Sequence, residues 1–418
     1  MRVGIIGGGA AGLACAWLLD GQHDVTLFEK DDRLGGHAHT IEVEVHGQRV
    51  PVDAGFQFFA AGTAYATFNR LLDLLDVPRR SYPATLTVYD SRRQHPIVMP
   101  PLRGGVPACA SLTPSALGTL IRFQRFLAQV PAFLALKDKA LTIGEYLERL
   151  RLPRSFVDGF LIPLLLSFWC VERSDFLRFA AYNALYYLGS NMPSGLRAPQ
   201  QSEIVGGMKV YVDALVGSLG HGTRLRAGSG VRRVSRDGDG YTVEDHAGSL
   251  FRFDHVVLAT NARQALGLID STPELAPICR QLRRFEYFET TIALHGDRRL
   301  MPHHESAWSV VNARWDGAHS SLSIWNPAHG LPIFKSWVTF DDVLPEPLYA
   351  VATYEHGRIT PDYFDAQRRL RPMQGRHGLW LAGIYADDAD SHESAIRSAV
   401  SVAEQLAPRS PRLRRLVV

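Results

Sequence analysis

The chain has little cysteine, no long apolar run and almost no excess of charge, and each scarcity removes a class of protein. Its four cysteines, Cys15, Cys109, Cys170 and Cys279, stand far apart with no Cys-x-x-Cys pair. That spacing argues against a disulfide framework or zinc site and for reduced, mostly buried thiols in a cytoplasmic protein. The apolar segment "FLIPLLLSFWCV", Phe160 to Val171, falls well short of the roughly 20 residues that span a bilayer and contains Pro163. It reads as core or the wall of an apolar pocket, so no integral membrane segment is expected, while contact at a membrane periphery stays open. The N-terminal apolar stretch is broken by glycines where a secretory signal would run on, and is read as mature structure. A net charge of +3 gives no reason to invoke nucleic acid. The pairs Arg232-Arg233, Arg283-Arg284 and Arg368-Arg369 lack interleaved aromatics and read as solvated faces. Even His303-His304 lacks a third metal ligand. No repeat or low-complexity linker divides the 418 residues, enough for one large or two intimately joined domains; a homodimer stays open.

What is present starts at the first residues. "VGIIGGGAAG", Val3 to Gly12, is a β-branched run followed by Gly7, Gly9 and Gly12. Bare Gly7 and Gly9 let backbone approach a diphosphate whose charge meets free amides at a helix N-terminus, and Gly12 lets that helix pack close to the sheet. A second strand, Val25 to Phe28, ends at Glu29, whose carboxylate suits the two hydroxyls of an adenosine ribose and repels a 2′-phosphate. The pattern favours FAD or NAD over NADP.

Immediately downstream, "EKDDRLGGHAHT" brings Arg33 and the pair Gly35-Gly36. This continuation resembles the FAD-dependent amine oxidase and phytoene desaturase superfamily, most of all a bacterial group of NAD/FAD-binding proteins in which "RLGGHAHT" precedes a "D-x-G-F" segment, here "VDAGFQFF". "EIVGGMKVYVDAL", "FDHVVLAT" and "WLAG" extend the resemblance along the chain. It implies FAD held by Gly7, Gly9, Gly12, Glu29, Arg33, Gly35, Gly36, the backbone of Val231, Gly383 and Glu393. It also implies an α/β fold: a Rossmann-like FAD-binding domain of the glutathione-reductase type with a mixed-sheet and helical substrate domain. The expected boundaries are 1–75, 203–265 and 372–410 for FAD, and 76–202 and 266–371 for the substrate or cap.

Periodicity fills in the second part. Residues 112–189 read as apolar helices that need a surface to bury against. "YFETTIALH", "AWSVVNARW" and "SSLSIWN" read as strands, and Asp237-Gly238 as a turn between antiparallel strands. Tryptophans Trp308, Trp315, Trp325 and Trp337 read first as core, with an aromatic pocket as the alternative.

Chemistry is less legible. Amine oxidases of the resembled family carry a lysine on a substrate-domain strand, and Glu289, Thr290 and Thr291 stand there instead. Lys335 could approach the site from another strand, but reads first as solvent-exposed or ion-paired. Candidate site residues are Gln57, set between Phe56 and Phe58, Tyr182, which shares a helix face with Tyr186, and Glu289. His37 and His39 read mainly as turn residues. In "LWLAGIYADDADSHESAI", Asp390 reads as a helix cap with Glu393 three positions on, and Asp387 and Asp388 as facing solvent or a basic side chain. The expected activity is FAD-dependent oxidation or desaturation of a hydrophobic substrate, lipid-like or carrier-bound, with oxygen or another acceptor taking the electrons. A redox-neutral double-bond isomerase and a catalytically weakened FAD-binding interaction protein are the alternatives.

Overall fold

The fold was obtained as a computed structural model, which describes residues 1–93, 95–103, 106–108, 113–191 and 198–417. Cys109 lies outside the described residues. Five short strands form a wholly parallel sheet in the order Thr223–Arg226, Asp24–Phe28, Arg2–Ile6, His255–Leu258, Leu379–Leu381. The inner three are buried along nearly their whole length. That burial explains why they read as continuous apolar runs, since helices or loops cover both faces of such a sheet. Helix Ala10–Leu19 is buried from Ala11 onward and packs against helix His392–Leu406, so the first and last helices cover one face together.

Gly12 lets the first helix sit close against the turn and sheet, because a Cβ there would lie 1.9 Å from the Gly7 carbonyl oxygen. Gly7 itself takes φ +109°, a left-handed conformation open to glycine. The turn is pinned to its surroundings by Gly7 N–H donating to Phe28 O (2.8 Å) and Gly35 N–H to Gly8 O (2.8 Å).

A second, seven-stranded sheet runs Leu348–Gly357, Tyr287–His295, Phe334–Trp337, Ser320–Trp325, Val311–Trp315, Leu86–Asp90, His95–Val98. Every neighbouring pair is antiparallel except Val311–Trp315 with Leu86–Asp90. Helix Ile162–Trp169, almost entirely apolar, lies on Val311–Trp315 and Ser320–Trp325 and is tied there by Ser320 Oγ donating to Pro163 O (2.6 Å). The segment "FLIPLLLSFWCV" is thus core of a helical cap, with Cys170 buried beside it. Helices Pro114–Leu127, Ile143–Leu150 and Ala181–Asn191 complete the cap. Strands Val231–Asp237, Gly240–Asp245 and Leu250–Phe253 form the small antiparallel sheet expected around the Asp237-Gly238 turn, with Gly238 at φ +61°.

Two sequence motifs meet by a buried carboxylate. Asp53 accepts from the Thr40 hydroxyl (2.6 Å) and from the Met208 amide (2.9 Å), at the entry to helix Lys209–Gly217. Gly207, at φ +85°, must be bare because its Cβ would lie 2.5 Å from Thr40. The "VDAGF" and "VGGM" stretches are therefore two halves of one joint.

Candidate active-site cavity

One cavity of about 860 Å³ connects the two sheets. At one end its wall is Gly7, Gly9, Ala10 and Ala11, with Glu29, Arg33, Gly35, Gly36 and Val231 close by in the lining. A Cβ on Gly9 would meet only the Gly36 Cα, at 3.9 Å, so the absent side chain leaves room that belongs to the cavity. The helix starting at Ala10 has no side-chain cap, and its first-turn amides are free for an anion. Glu29 holds the turn in shape, accepting from the Gly8 amide (2.7 Å) and the Asp31 amide (3.0 Å). Arg33 donates to the Gly36 carbonyl (2.9 Å). The strand ladder shifts between Val231 and Arg233, where Val231 reaches the wall. This end fits a phosphate-bearing cofactor: bare backbone, unfilled amides and a carboxylate at the strand end. Gly12 lies behind it and serves packing.

Midway, polar side chains converge from distant elements. His37, after the double glycine, lies 4.9 Å from the Tyr354 ring and 5.4 Å from the His356 ring, centre to centre. His37 faces the cavity yet is secluded from bulk water, which with the Arg33 charge lowers its pKa to about 4. Burial, with His37 and Lys335 adding, lowers His356 to about 3. His39 instead bonds the Tyr354 hydroxyl (2.9 Å). Gly383, at φ +130°, and the start of helix His392–Leu406 close this part, with Ser391, His392 and Ala395 in the lining. His392 stacks flat on Phe56, centroids 4.4 Å apart, and its Nε2 meets the Tyr211 hydroxyl at 3.1 Å. Burial and His37 lower its pKa to about 3.

The rest of the wall is apolar, from Ile292, Leu322, Ile324 and Trp337 of the seven-stranded sheet and Phe168 and Trp169 of the cap. Of the four tryptophans singled out by sequence, Trp337 lines the cavity, while Trp308 and Trp325 pack edge to face with each other. Phe168 and Trp169 belong to the run read as core or the wall of an apolar pocket, and both alternatives hold along it: its first residues are core and these two are wall.

The candidate residues part company here. Gln57 lines the cavity, and its buried Oε1 has no hydrogen-bond partner. Tyr182 lies outside the lining, donating to Asp388 (3.2 Å) and stacking near Tyr186. Glu289 is exposed, whereas its neighbour Thr290 is 1% exposed, lines the cavity and has an unpartnered Oγ1. The two-residue period of a strand puts Thr290 and Ile292 on the same face, a parity that marks Thr290 in the sequence once that face is known.

Three readings of the sequence are corrected. Lys335 is neither solvated nor ion-paired: it is 3% exposed, lines the cavity and donates to the Gly55 carbonyl. Burial lowers its pKa to about 8, with the Asp53 charge working the other way. The cap of the last helix is Ser391, whose Oγ accepts from the Ser394 amide (3.1 Å). Asp390 lines the cavity instead, its pKa raised to about 6 by burial. Glu393 does not close a capping box on its own helix. Its carboxylate accepts from the Thr67 (2.9 Å) and Phe68 (2.8 Å) amides, capping helix Ala66–Leu74 from outside, and it is absent from the cavity lining.

The other two acids of that turn meet basic groups, as their charge requires. Asp388 pairs with Lys139, which also sits over the Phe364 ring at 4.5 Å, and Asp387 lies 3.6 Å from Arg397. Lys139 belongs to the cap region, so the acidic turn fastens the cap to the last helix. Among the described residues there is no metal-binding cluster and no helix long and apolar enough to cross a membrane.

Comparison with known proteins agrees with this architecture. The family model for flavin containing amine oxidoreductases matches residues 10–316. No curated protein matches the chain. Solved structures with the same fold include a CLA-producing fatty acid isomerase from P. acnes, at 16% identity and TM-score 0.68, covering 97% of this chain and 98% of that one. Cyclohexylamine oxidase from Brevibacterium oxydans follows at 17% identity and TM-score 0.63, over 97% and 99%. Putrescine oxidase bound to putrescine has 14% identity and TM-score 0.69, over 98% and 100%.

Proposed function

Since this chain belongs to the flavin containing amine oxidoreductase family, we propose that it is an FAD-dependent enzyme that oxidises or desaturates a hydrophobic organic substrate. The observation that carries this reading is the cavity of about 860 Å³, whose lining joins the glycine turn to an apolar sheet-and-cap wall. FAD, with its adenosine half, accounts for a ribose-seeking Glu29 and a diphosphate-seeking helix end. Gly7, Gly9, Glu29, Arg33, Gly35, Gly36 and Val231 are the residues we assign to it, with Gly383 and the Ser391–His392 helix start at the far end. When bound, the flavin supplies the redox step by accepting a hydride from a substrate carbon.

The chain's own residues provide the setting. Phe168, Trp169, Leu322, Ile324 and Trp337 exclude water and seat an apolar chain or ring. His37, His356 and His392 stay neutral near pH 7, so they offer hydrogen bonds rather than charge. Asp390, a cavity carboxyl whose pKa burial raises to about 6, is suited to hold or release a proton. Gln57 orients the substrate. Tyr182 and Glu289 have no place in this reading.

The test is anaerobic mixing of flavin-loaded protein with unsaturated acids, alcohols and amines, following flavin bleaching and product mass. Bleaching with loss of two hydrogens supports the proposal. A shifted double bond at unchanged mass makes the protein an isomerase instead. A purified protein that neither carries nor takes up flavin overturns the reading altogether.

A further inference from the structure

Lys335 stands on the interior strand Phe334–Trp337, between Tyr287–His295 and Ser320–Trp325. A charge on a central strand is costly unless surrounding groups replace the lost water. Among the described residues its ammonium has one hydrogen bond, to the Gly55 carbonyl, and Nζ lies 5.2 Å from the Trp337 ring centre. An ammonium has three donors, so two remain open toward the cavity that the side chain lines.

The carboxylates nearby are otherwise committed. Asp53, which acts on Lys335 electrostatically, is already held by Thr40 and Met208. Glu355 accepts from Asn261 and pairs with Arg263. Asp390 acts electrostatically on Tyr65, Tyr187 and Tyr287, and among the carboxylates it is Asp53 that acts on Lys335. The segment that holds Nζ, at Gly55, carries Gln57 two residues on, whose buried carboxamide oxygen has no partner. Beyond them the wall turns apolar, and the neighbouring histidines add no charge.

We infer that Lys335, assisted by Gln57, anchors a carboxylate on the otherwise apolar substrate, and that the site prefers long-chain acids to amines. This rests on the functional reading above and narrows it to one head group. A carboxylate would take up the two open donors and offset the charge, whereas an ammonium would set a second cation in a dry cavity beside the first. The Gln57 amide can turn its N–H₂ toward the same head group.

The test is equilibrium binding to the flavin-loaded protein of a series from octanoate to oleate, with the methyl esters, alcohols and amines of equal length. Flavin absorbance and tryptophan fluorescence report binding, since Trp169 and Trp337 line the wall. Acids should bind at least ~10-fold tighter than their esters and amines, about 1.4 kcal/mol. Lys335→Met should remove that advantage while leaving alcohol affinity and flavin content unchanged, and Lys335→Arg should restore part of it. Gln57→Leu should weaken the acids several-fold more than the alcohols. An amine that binds as tightly as its acid, or no binding by any acid of the series, overturns the inference even if Lys335→Met does not fold. Those outcomes leave flavin loading intact, and so are distinct from failure of the functional reading.

Discussion

Around Gly7 to Gly12 the cavity wall is backbone, and around Lys335 it is side chain. The first end is shaped by atoms the sequence omits: a Cβ missing from Gly9, an uncapped helix start, a tight Gly7–Gly12 contact. The second is shaped by groups brought from far apart: Gln57, Thr290, Lys335, His356 and Asp390. A backbone site tolerates almost no added atom, because its ligand lies against the main chain. A side-chain site can exchange members one at a time, since each contributes a separate contact. The difference explains how one cofactor cradle can face walls of varied chemistry.

The contrast can be broken most sharply at the glycines. Gly12→Val should prevent folding, since even its Cβ would overlap the Gly7 carbonyl, a clash of several kcal/mol. A soluble variant with native circular dichroism would refute that packing role. Gly9→Val should fold, because Gly9 has φ −75° and open space before it, yet lose flavin affinity by at least ~100-fold as the new side chain fills the cradle. Flavin absorbance per mole of protein measures this, and retained flavin would remove the diphosphate from that turn.

Glu393 sharpens the boundary between cradle and scaffold. Glu393→Ala leaves the Thr67 and Phe68 amides unsatisfied in the interior and should cost about 2–4 kcal/mol in urea unfolding. Flavin affinity of the folded fraction should change little, and a drop matching that of Gly9→Val would return Glu393 to the cofactor.

Acid should expose the side-chain end. His356 and His392 are held to about 3 in the folded protein, while an unfolded histidine takes its proton near 6.5. The unfolded state therefore binds more protons as pH falls below 6.5, and stability declines. Asp390 works in the opposite direction, since its folded carboxyl is protonated from about 6 and the unfolded one only near 3.8. The net loss from these three groups between pH 7 and 5 should be roughly 1–3 kcal/mol in flavin-free protein. Urea midpoints at the two pH values check it, and His392→Phe should flatten the dependence. The smallest expected effect is at Glu289. Exposed on its strand, Glu289→Ala should stay within about 0.5 kcal/mol and leave flavin content and substrate affinity alone.

The glycine turn, Glu29, the strand runs and the apolar cap helices were legible because their physics is local. A turn needs particular residues at particular positions, and a buried parallel strand needs an unbroken apolar run. Lys335 was misread because a single lysine beside strand residues carries no mark of its surroundings. Its burial comes from strands Tyr287–His295 and Ser320–Trp325 closing on either side of it. In the acidic turn Asp387 and Asp388 meet basic groups as expected, while the capping pair was misread for the same reason. Capping spacing pointed at Asp390 and Glu393 on one helix, but the backbone places Ser391 at the cap and sends Glu393 to another helix.

By itself the sequence determined that this chain makes a parallel sheet with a bare glycine turn at a helix start, because those features depend on contacts between near neighbours. Which side chains share the cavity with that turn was decided by tertiary structure alone. Lys335 meets Gly55 across a gap of 280 positions, and Asp388 meets Lys139 across 249. Contacts so distant in the chain are selected by the packing of whole sheets and helices, and no local pattern records them.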